Sequence, residues 1–208
     1  NRRIAACGSK ILMMRDRNII DHAGGMFTMI GAGLDLGKWS KDQGEYEKTR
    51  DVAFGSGCSL LIRRQTYLEV GGFDPDYVIY HEDVDLCWRM RLFGYSVMYV
   101  PHSVVYHLGG AVMGSMESPS RTYLCQRNRL ANMIKNMGPI NLVLAMLIST
   151  AYDAARAFRF LRTGRQGLVR ALLKGYADTL RNMKRLLGQR RAVQRRRSLS
   201  DREIKAYF

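Results

Sequence analysis

The apolar and polar positions of this chain switch period several times, and each switch marks an element. Ile4-Ala5-Ala6-Cys7-Gly8 and Lys10-Ile11-Leu12-Met13-Met14 predict one strand, or two short ones, in a sheet. Residues 15–51 then turn polar and glycine-rich, with Gly24-Gly25, Gly31, Gly33, Gly37 and Gly44. They read as a long surface connection with glycine turns, and connections of this length in compact domains are functional or mobile. Apolar residues return over 52–62 and predict a strand at about 57–63, buried on both faces and closed by Arg63-Arg64. A short helix over 65–70 ends at Gly71-Gly72. A second helix over 82–93 places Leu86, Met90 and Phe93 on one stripe and Gly94 at its C-cap. Asp85 and Arg89 stand one turn apart on it and are expected to pair on its wet side. Residues 95–101 predict a strand that Pro101 stops, with Ser103–His107 extending away and a flexible segment from Gly109-Gly110. Residues 121–137 read as a third helix.

Pro139 fits the start of another helix. Residues 139–152 are nearly free of charge, but the run is shorter than the ~20 apolar residues a bilayer span needs. After it, Arg156, Arg159, Arg162, Arg165, Arg170 and Lys174 interleave with Phe158, Phe160, Leu161, Leu168, Leu172 and Leu173. That basic amphipathic pattern suits the headgroup region of a membrane. Charge follows the same division: residues 1–130 hold 16 Lys+Arg against 14 Asp+Glu, whereas residues 131–208 hold 17 against 4. Residues 1–130 therefore read as a near-neutral domain. Residues 131–208 read as a basic helical tail for an anionic partner, a membrane surface or a nucleic acid, with frayed final residues.

An apolar content of 47% excludes a disordered chain. Cys7, Cys58, Cys87 and Cys125 are too widely spaced for a zinc knuckle and read as reduced, buried thiols of a cytosolic protein. The first residue is Asn1 with no charged-then-apolar leader, which leads us to expect a start partway through a longer protein.

The chemistry gathers between Gly71 and Arg89. Glu82 and Asp83 adjoin at a helix start, where they point about 100° apart and cannot share one job. The positive helix end favours their ionised forms, and an ionised carboxylate can take the proton of an attacking hydroxyl. The same acids could equally serve only the helix macrodipole. His81, His102 and His107 read as loop or strand-end residues, and His107 is a metal ligand only if carboxylates from another strand join it. Asp74-Pro75-Asp76 lies in a turn and Asp83-Val84-Asp85 in a helix, so neither reads as a metal-binding pair at a strand end. Tyr77, Tyr80 and Trp88 form a stacking wall for a sugar or belong to the core, as Trp88 does by its mid-helix position. Arg63 and Arg64 neutralise phosphate or end a solvated strand.

Gly57 through Arg64, Gly71-Gly72-Phe73-Asp74, His81-Glu82-Asp83-Val84-Asp85-Leu86-Cys87-Trp88-Arg89, Gly94-Tyr95, Tyr99-Val100-Pro101 and His107 occur in this order. Together they resemble the C-terminal half of a family-2 glycosyltransferase of the rhamnosyltransferase-like branch, over about residues 1–130. The resemblance implies an α/β fold, the acceptor-side half of a GT-A nucleotide-diphospho-sugar transferase, followed here by amphipathic helices. It implies inverting transfer from a nucleotide-diphosphate sugar to a lipid-linked or glycan acceptor in cell-surface polysaccharide synthesis. Asp83 would be the general base and Glu82 its support. Gly71, Gly72 and Phe73 would shape the acceptor loop, with Tyr80 and Arg63 completing the substrate-binding set. His107 would help hold a divalent metal (Mg or Mn) whose main ligands, like most of the donor site, are expected upstream of Asn1. The basic tail would then dock on the cytoplasmic face of the cell membrane. Two other classes compete: a non-catalytic carbohydrate-binding or scaffold domain, and a nucleic-acid-binding module. The second is opposed by the aliphatic interleaving of the tail and the lack of a nucleic-acid motif, so no nucleic-acid partner is expected.

Overall fold

The computed structural model describes residues 3–109 and 117–208. Seven strands and seven α-helices run in the order β1 (Ile4–Met13), β2 (Ile20–His22), β3 (Gly25–Phe27), β4 (Gly33–Asp35), β5 (Arg50–Val52), β6 (Leu60–Ile62), α1 (Arg64–Glu69), α2 (Glu82–Leu92), β7 (Ser96–His107), α3 (Pro119–Asn136), α4 (Pro139–Arg162), α5 (Gln166–Arg181), α6 (Met183–Arg196) and α7 (Asp201–Ile204). The architecture is mixed α/β. β1 is the spine of the main sheet: β7 lies parallel along one edge, and β6 and β2 share the other, antiparallel to its first and second halves. β5 pairs antiparallel with the outer edge of β7. β3 and β4 form a separate hairpin.

The apolar run of β1 is a single strand, almost wholly buried. Four expectations about the sheet and its main helix change. β7 does not stop at Pro101 but runs on to His107. The register jumps there, Ser9 facing Val100 and Lys10 facing Val104, so residues 101–103 are looped out and Pro101 sits where no ladder donor is required. β6 is not buried on both faces: it borders β1 on one side only, and Leu61 is 77% exposed. α2 has more than one apolar stripe, because Val84 through Leu92 are all buried and Trp88 stacks on Phe27 with ring centroids 4.3 Å apart. It is the central helix of the core. The Asp85–Arg89 pair forms as expected, but in the interior and not on a wet side.

The C-terminal helices pack on this layer. α3 crosses residue 130 without a break, and Leu130, Met133 and Met137 join the main core. α6 covers the end of α3: Arg190 donates to the carbonyls of Ile134 and Met137, and Gln194 to those of Lys135 and Asn136. These are carbonyls that a helix end leaves without intrahelical donors. The last residues are not frayed. Ile204 is buried, the Phe208 ring lies 5.5 Å from that of Trp88, and Tyr207 Oη donates to Asp51. All four thiols are free, but only Cys87 is buried, and Cys58 is exposed. Among the described residues no helix is long and apolar enough to cross a membrane. Most of the flexible segment expected from Gly109-Gly110 lies outside the described residues.

Candidate functional site

The first turn of α2 is held in place by an unusual backbone. Val78, Tyr80 and His81 all have positive φ, at 61°, 69° and 65°. Left-handed backbone at a non-glycine residue costs on the order of 1 kcal/mol or more and persists only where the surroundings impose it. Here Asn128 of α3 imposes it, its Nδ2 donating to the carbonyls of Tyr77 (3.0 Å), Ile79 (2.9 Å) and Tyr80 (2.7 Å). The strained segment turns the chain sharply into α2 and presents Glu82 and Asp83 at its start.

Asp83 is clasped by two backbone donors. Val84 N–H donates to Oδ1 and Gly57 N–H to Oδ2, each at 2.8 Å. A Cβ at Gly57 would lie 3.6 Å from Asp83 Oδ2 and 3.8 Å from Glu82 Oε1, so this glycine faces both acids. Burial pushes the Asp83 carboxyl above its ordinary range, against the pull of the Gly57 and Val84 amides. Burial, and then the charge of Asp83, push Glu82 up as well. Desolvation therefore outweighs the helix end, which alone would favour ionisation. Glu82 Oε2 is buried and finds no hydrogen-bond partner among the described residues.

The loop that supplies Gly57 is tied down by His22. Ser56 N–H donates to His22 Nε2 at 3.2 Å, which leaves Nδ1 to carry a proton toward Asp35 Oδ1 at 2.9 Å. His22 is buried, and its neighbour Asp21 points to the opposite side of β2, as strand alternation requires. There Asp21 meets His107 Nδ1 at 2.7 Å. Lys38 bridges both sides, 2.6 Å from Asp35 and 3.5 Å from Asp21. A continuous polar chain thus runs from His107 through Asp21, Lys38, Asp35 and His22 to the loop that clasps Asp83. His107 keeps Nε2 as a possible ligand nitrogen, but the described residues gather no group of three or more metal-ligating side chains. They do not make a divalent-metal site by themselves.

The remaining expected site residues are held by other contacts. Gly71 and Gly72 have φ of 87° and 65°, and a side chain on Gly72 would meet the Tyr67 ring. Their turn is fastened to α2 by Arg89, which donates to the carbonyls of Val70 (2.5 Å) and Gly72 (2.8 Å) while holding Asp85. Phe73 stands edge-on to Tyr67 and its N–H donates to the Tyr67 hydroxyl. Tyr80 is adjacent to the acids in the strained segment, and the Arg121 guanidinium sits 4.9 Å over its ring. Tyr77 is buried and donates to Asn132, and Trp88 is core. Arg63 is carried away from Gly57 along β6, and its Nε donates to the Ile4 carbonyl. Sequence reasoning missed His22, Asp35, Gly57 as a carboxylate donor, and Asn128. Only His22, a histidine two positions before Gly24-Gly25, carried a readable signal.

Comparison with known proteins identifies the family of the chain. The model of the family described as "Glycosyltransferase like family 2" matches residues 17–133, which is more than half of the chain and includes every residue of the polar network above. An N-acetylglucosaminyl-diphospho-decaprenol L-rhamnosyltransferase of Mycobacterium tuberculosis is 37% identical over 87 residues, 40% of this chain and 28% of that protein. Rhamnosyltransferase WbbL of Escherichia coli is 42% identical over 57 residues, 26% of this chain and 22% of that protein. The chain spans about a quarter of the length of these curated relatives. By the extent of the family match, it belongs to the glycosyltransferase-like family 2.

Proposed function

We propose that this chain carries the acceptor-activating part of an inverting glycosyltransferase that uses a nucleotide-diphosphate sugar donor. Its acceptor is a hydroxyl of a lipid-linked or polysaccharide glycan in cell-surface synthesis, in keeping with the decaprenol-linked name of one relative. The observation that carries the reading is the clasped, half-buried carboxylate of Asp83. Each of its oxygens has one backbone donor and keeps a lone pair for a proton. The acceptor hydroxyl oxygen forms the new bond to the anomeric carbon from the face opposite the leaving group. The nucleotide diphosphate departs with the electron pair of the old bond, and the hydroxyl proton passes to Asp83. A carboxyl raised by burial is a stronger base than a solvated one, which suits this step. Glu82, with its unsatisfied buried oxygen, accepts a second acceptor hydroxyl and orients it. Gly71, Gly72 and Phe73 shape the wall on which the acceptor rests. Asp21–His107 and Asp35–His22 hold the opposite rim rigid.

The test is Asp83→Asn in the full protein, assayed with nucleotide sugars and a polyprenyl-linked acceptor. Asparagine keeps the size and the Gly57 contact but cannot accept the proton, so transfer should fall at least about a hundredfold. A variant that transfers as fast as the parent removes Asp83 as the base.

A further inference from the structure

We infer that the outward face of α4 between Ile140 and Tyr152 is a membrane-insertion surface that lies in the plane of an anionic leaflet. The inward side of this helix fixes its rotation. Ser149 meets Arg129 at 2.6 Å, and Asp153 accepts from Gln126 and from Tyr176, each at 2.7 Å, all in the protein interior. With those anchors the helix cannot roll, and the side left outward is Ile140, Val143, Leu144, Leu147, Ile148 and Tyr152. Ile140 is 74% exposed, Leu147 65% and Val143 63%. No charge interrupts this stretch. The exposed Thr150 hydroxyl donates back to the Met146 carbonyl at 2.8 Å, which satisfies its hydrogen within the helix. An apolar surface this continuous on a helix marks an interaction site and not ordinary solvent-facing structure.

Length and charge select the occupant. Residues 140–152 extend about 20 Å along the helix axis, short of the ~30 Å hydrocarbon core, so the face lies along a membrane and does not cross it. Beyond Tyr152 the exposed side becomes Phe158, Arg159, Leu161 and Arg162, apolar and basic together, and Arg162 stacks over the Phe158 ring. Residues 131–208 hold 17 Lys+Arg against 4 Asp+Glu, so a second copy docked here would bring two strongly basic regions together. An anionic lipid surface accepts both the aliphatic face and the arginines, whose stems can lie along the boundary with their heads among the headgroups. The choice of membrane rests on the lipid-linked acceptor proposed above, since such an acceptor confines the reaction to a bilayer surface.

The experiment is vesicle flotation of the full protein, with phosphatidylglycerol and phosphatidylcholine in equal parts or phosphatidylcholine alone. The parent should float with the anionic vesicles and less with the neutral ones, and added salt should weaken the difference. Val143→Ser with Leu147→Ser removes two exposed aliphatic groups without touching the interior. It should melt like the parent and lower the vesicle partition at least about tenfold. Unchanged partition of that double variant overturns the assignment. So does a dimer seen without vesicles that the double variant dissolves, because the occupant is then a second copy. Asp83→Asn should float like the parent, so a failure of the acceptor chemistry and a failure of this surface are read separately.

Discussion

Two carboxylates two residues apart on α2 are driven in opposite directions by their neighbours. Asp83 lies above its ordinary range because burial outweighs two backbone amides. Burial pushes Asp85 up too, but Arg89 and Lys135, with a hydrogen bond from Asn136, more than offset it and hold the carboxyl down to about 2. His81, between the strained segment and the acids, is lowered to about 4, first by burial and then by Arg129, with Arg121 adding and Asp35 opposing. These shifts set how the fold responds to acid. The folded value of His81 lies below its unfolded 6.5, so stability is full above pH 6.5 and declines as pH falls toward 4. The folded value of Asp85 lies below its unfolded 3.8, so its contribution persists above that pH and is lost toward pH 2. Acid should therefore weaken the protein in two windows, worth about 3 kcal/mol for His81 and about 2 kcal/mol for Asp85. His81→Asn, which tolerates the left-handed backbone, should flatten the upper window and leave the lower one. Chemical denaturation across pH reads this directly, and identical profiles for parent and variant would show that His81 titrates freely. From the sequence, Asp83 and Asp85 were visible as acids, and Arg89 at i+4 marked Asp85 as the paired one. Nothing local showed that Lys135 and Asn136, some fifty positions later, finish burying that pair.

At the scale of elements, helices were legible wherever punctuation and periodicity agreed. Gly71-Gly72, Gly94 and Pro139 all stand at the helix boundaries they predict. Strands were less legible, because a strand is defined by its partner. Leu60–Ile62 is as apolar as a central strand but occupies an edge, and Pro101 breaks a ladder register without breaking β7. The segment between Tyr77 and His81 was the least legible, since its conformation belongs to α3. Asn128 has one amide group with two hydrogens shared among three carbonyls, so it is a single point of control over the entry to α2. Asn128→Ala should leave the half-buried Ile79 and Tyr80 carbonyls without their side-chain donor, while Tyr77 keeps the Ile79 N–H and Arg127, and should release the three positive-φ residues. We expect a loss of about 2–3 kcal/mol in stability and a fall in transfer rate larger than any change in donor affinity. Asn128→Asp keeps the size but offers no amide donor and should behave like alanine. An Asn128→Ala protein with parental stability and rate would mean that the 77–81 backbone holds itself.

The whole molecule is more unified than its charge distribution implies. The division into a near-neutral part and a basic part remains true of the charges, yet many of the basic side chains are spent on the α/β layer. Arg185 pairs with Asp76, Gln189 reaches Asp74, and Asp74 in turn holds Lys135, which contacts Asp85 beside the candidate base. Arg91 of α2, almost wholly buried, meets Asp51 of β5 and the Tyr207 hydroxyl. The acceptor-side residues are therefore braced from behind by the C-terminal helices, and the exposed apolar side of α4 is carried as part of the same body. Ile204 isolates this coupling. It lies in the main core with Trp88 and Met90, although only four residues follow it and its neighbours Glu203 and Lys205 are exposed. If the C-terminal segment is integral, Ile204→Ala should cost about 2–4 kcal/mol, as for other large-to-small changes in a core, while Arg202→Ala on the exposed side costs less than about 0.5. Urea titration should show one cooperative transition shifted as a whole, with its slope unchanged. An early, separate transition of the C-terminal helices, with the main transition unmoved, would instead make them an independent appendage whose removal leaves the clasp on Asp83 intact.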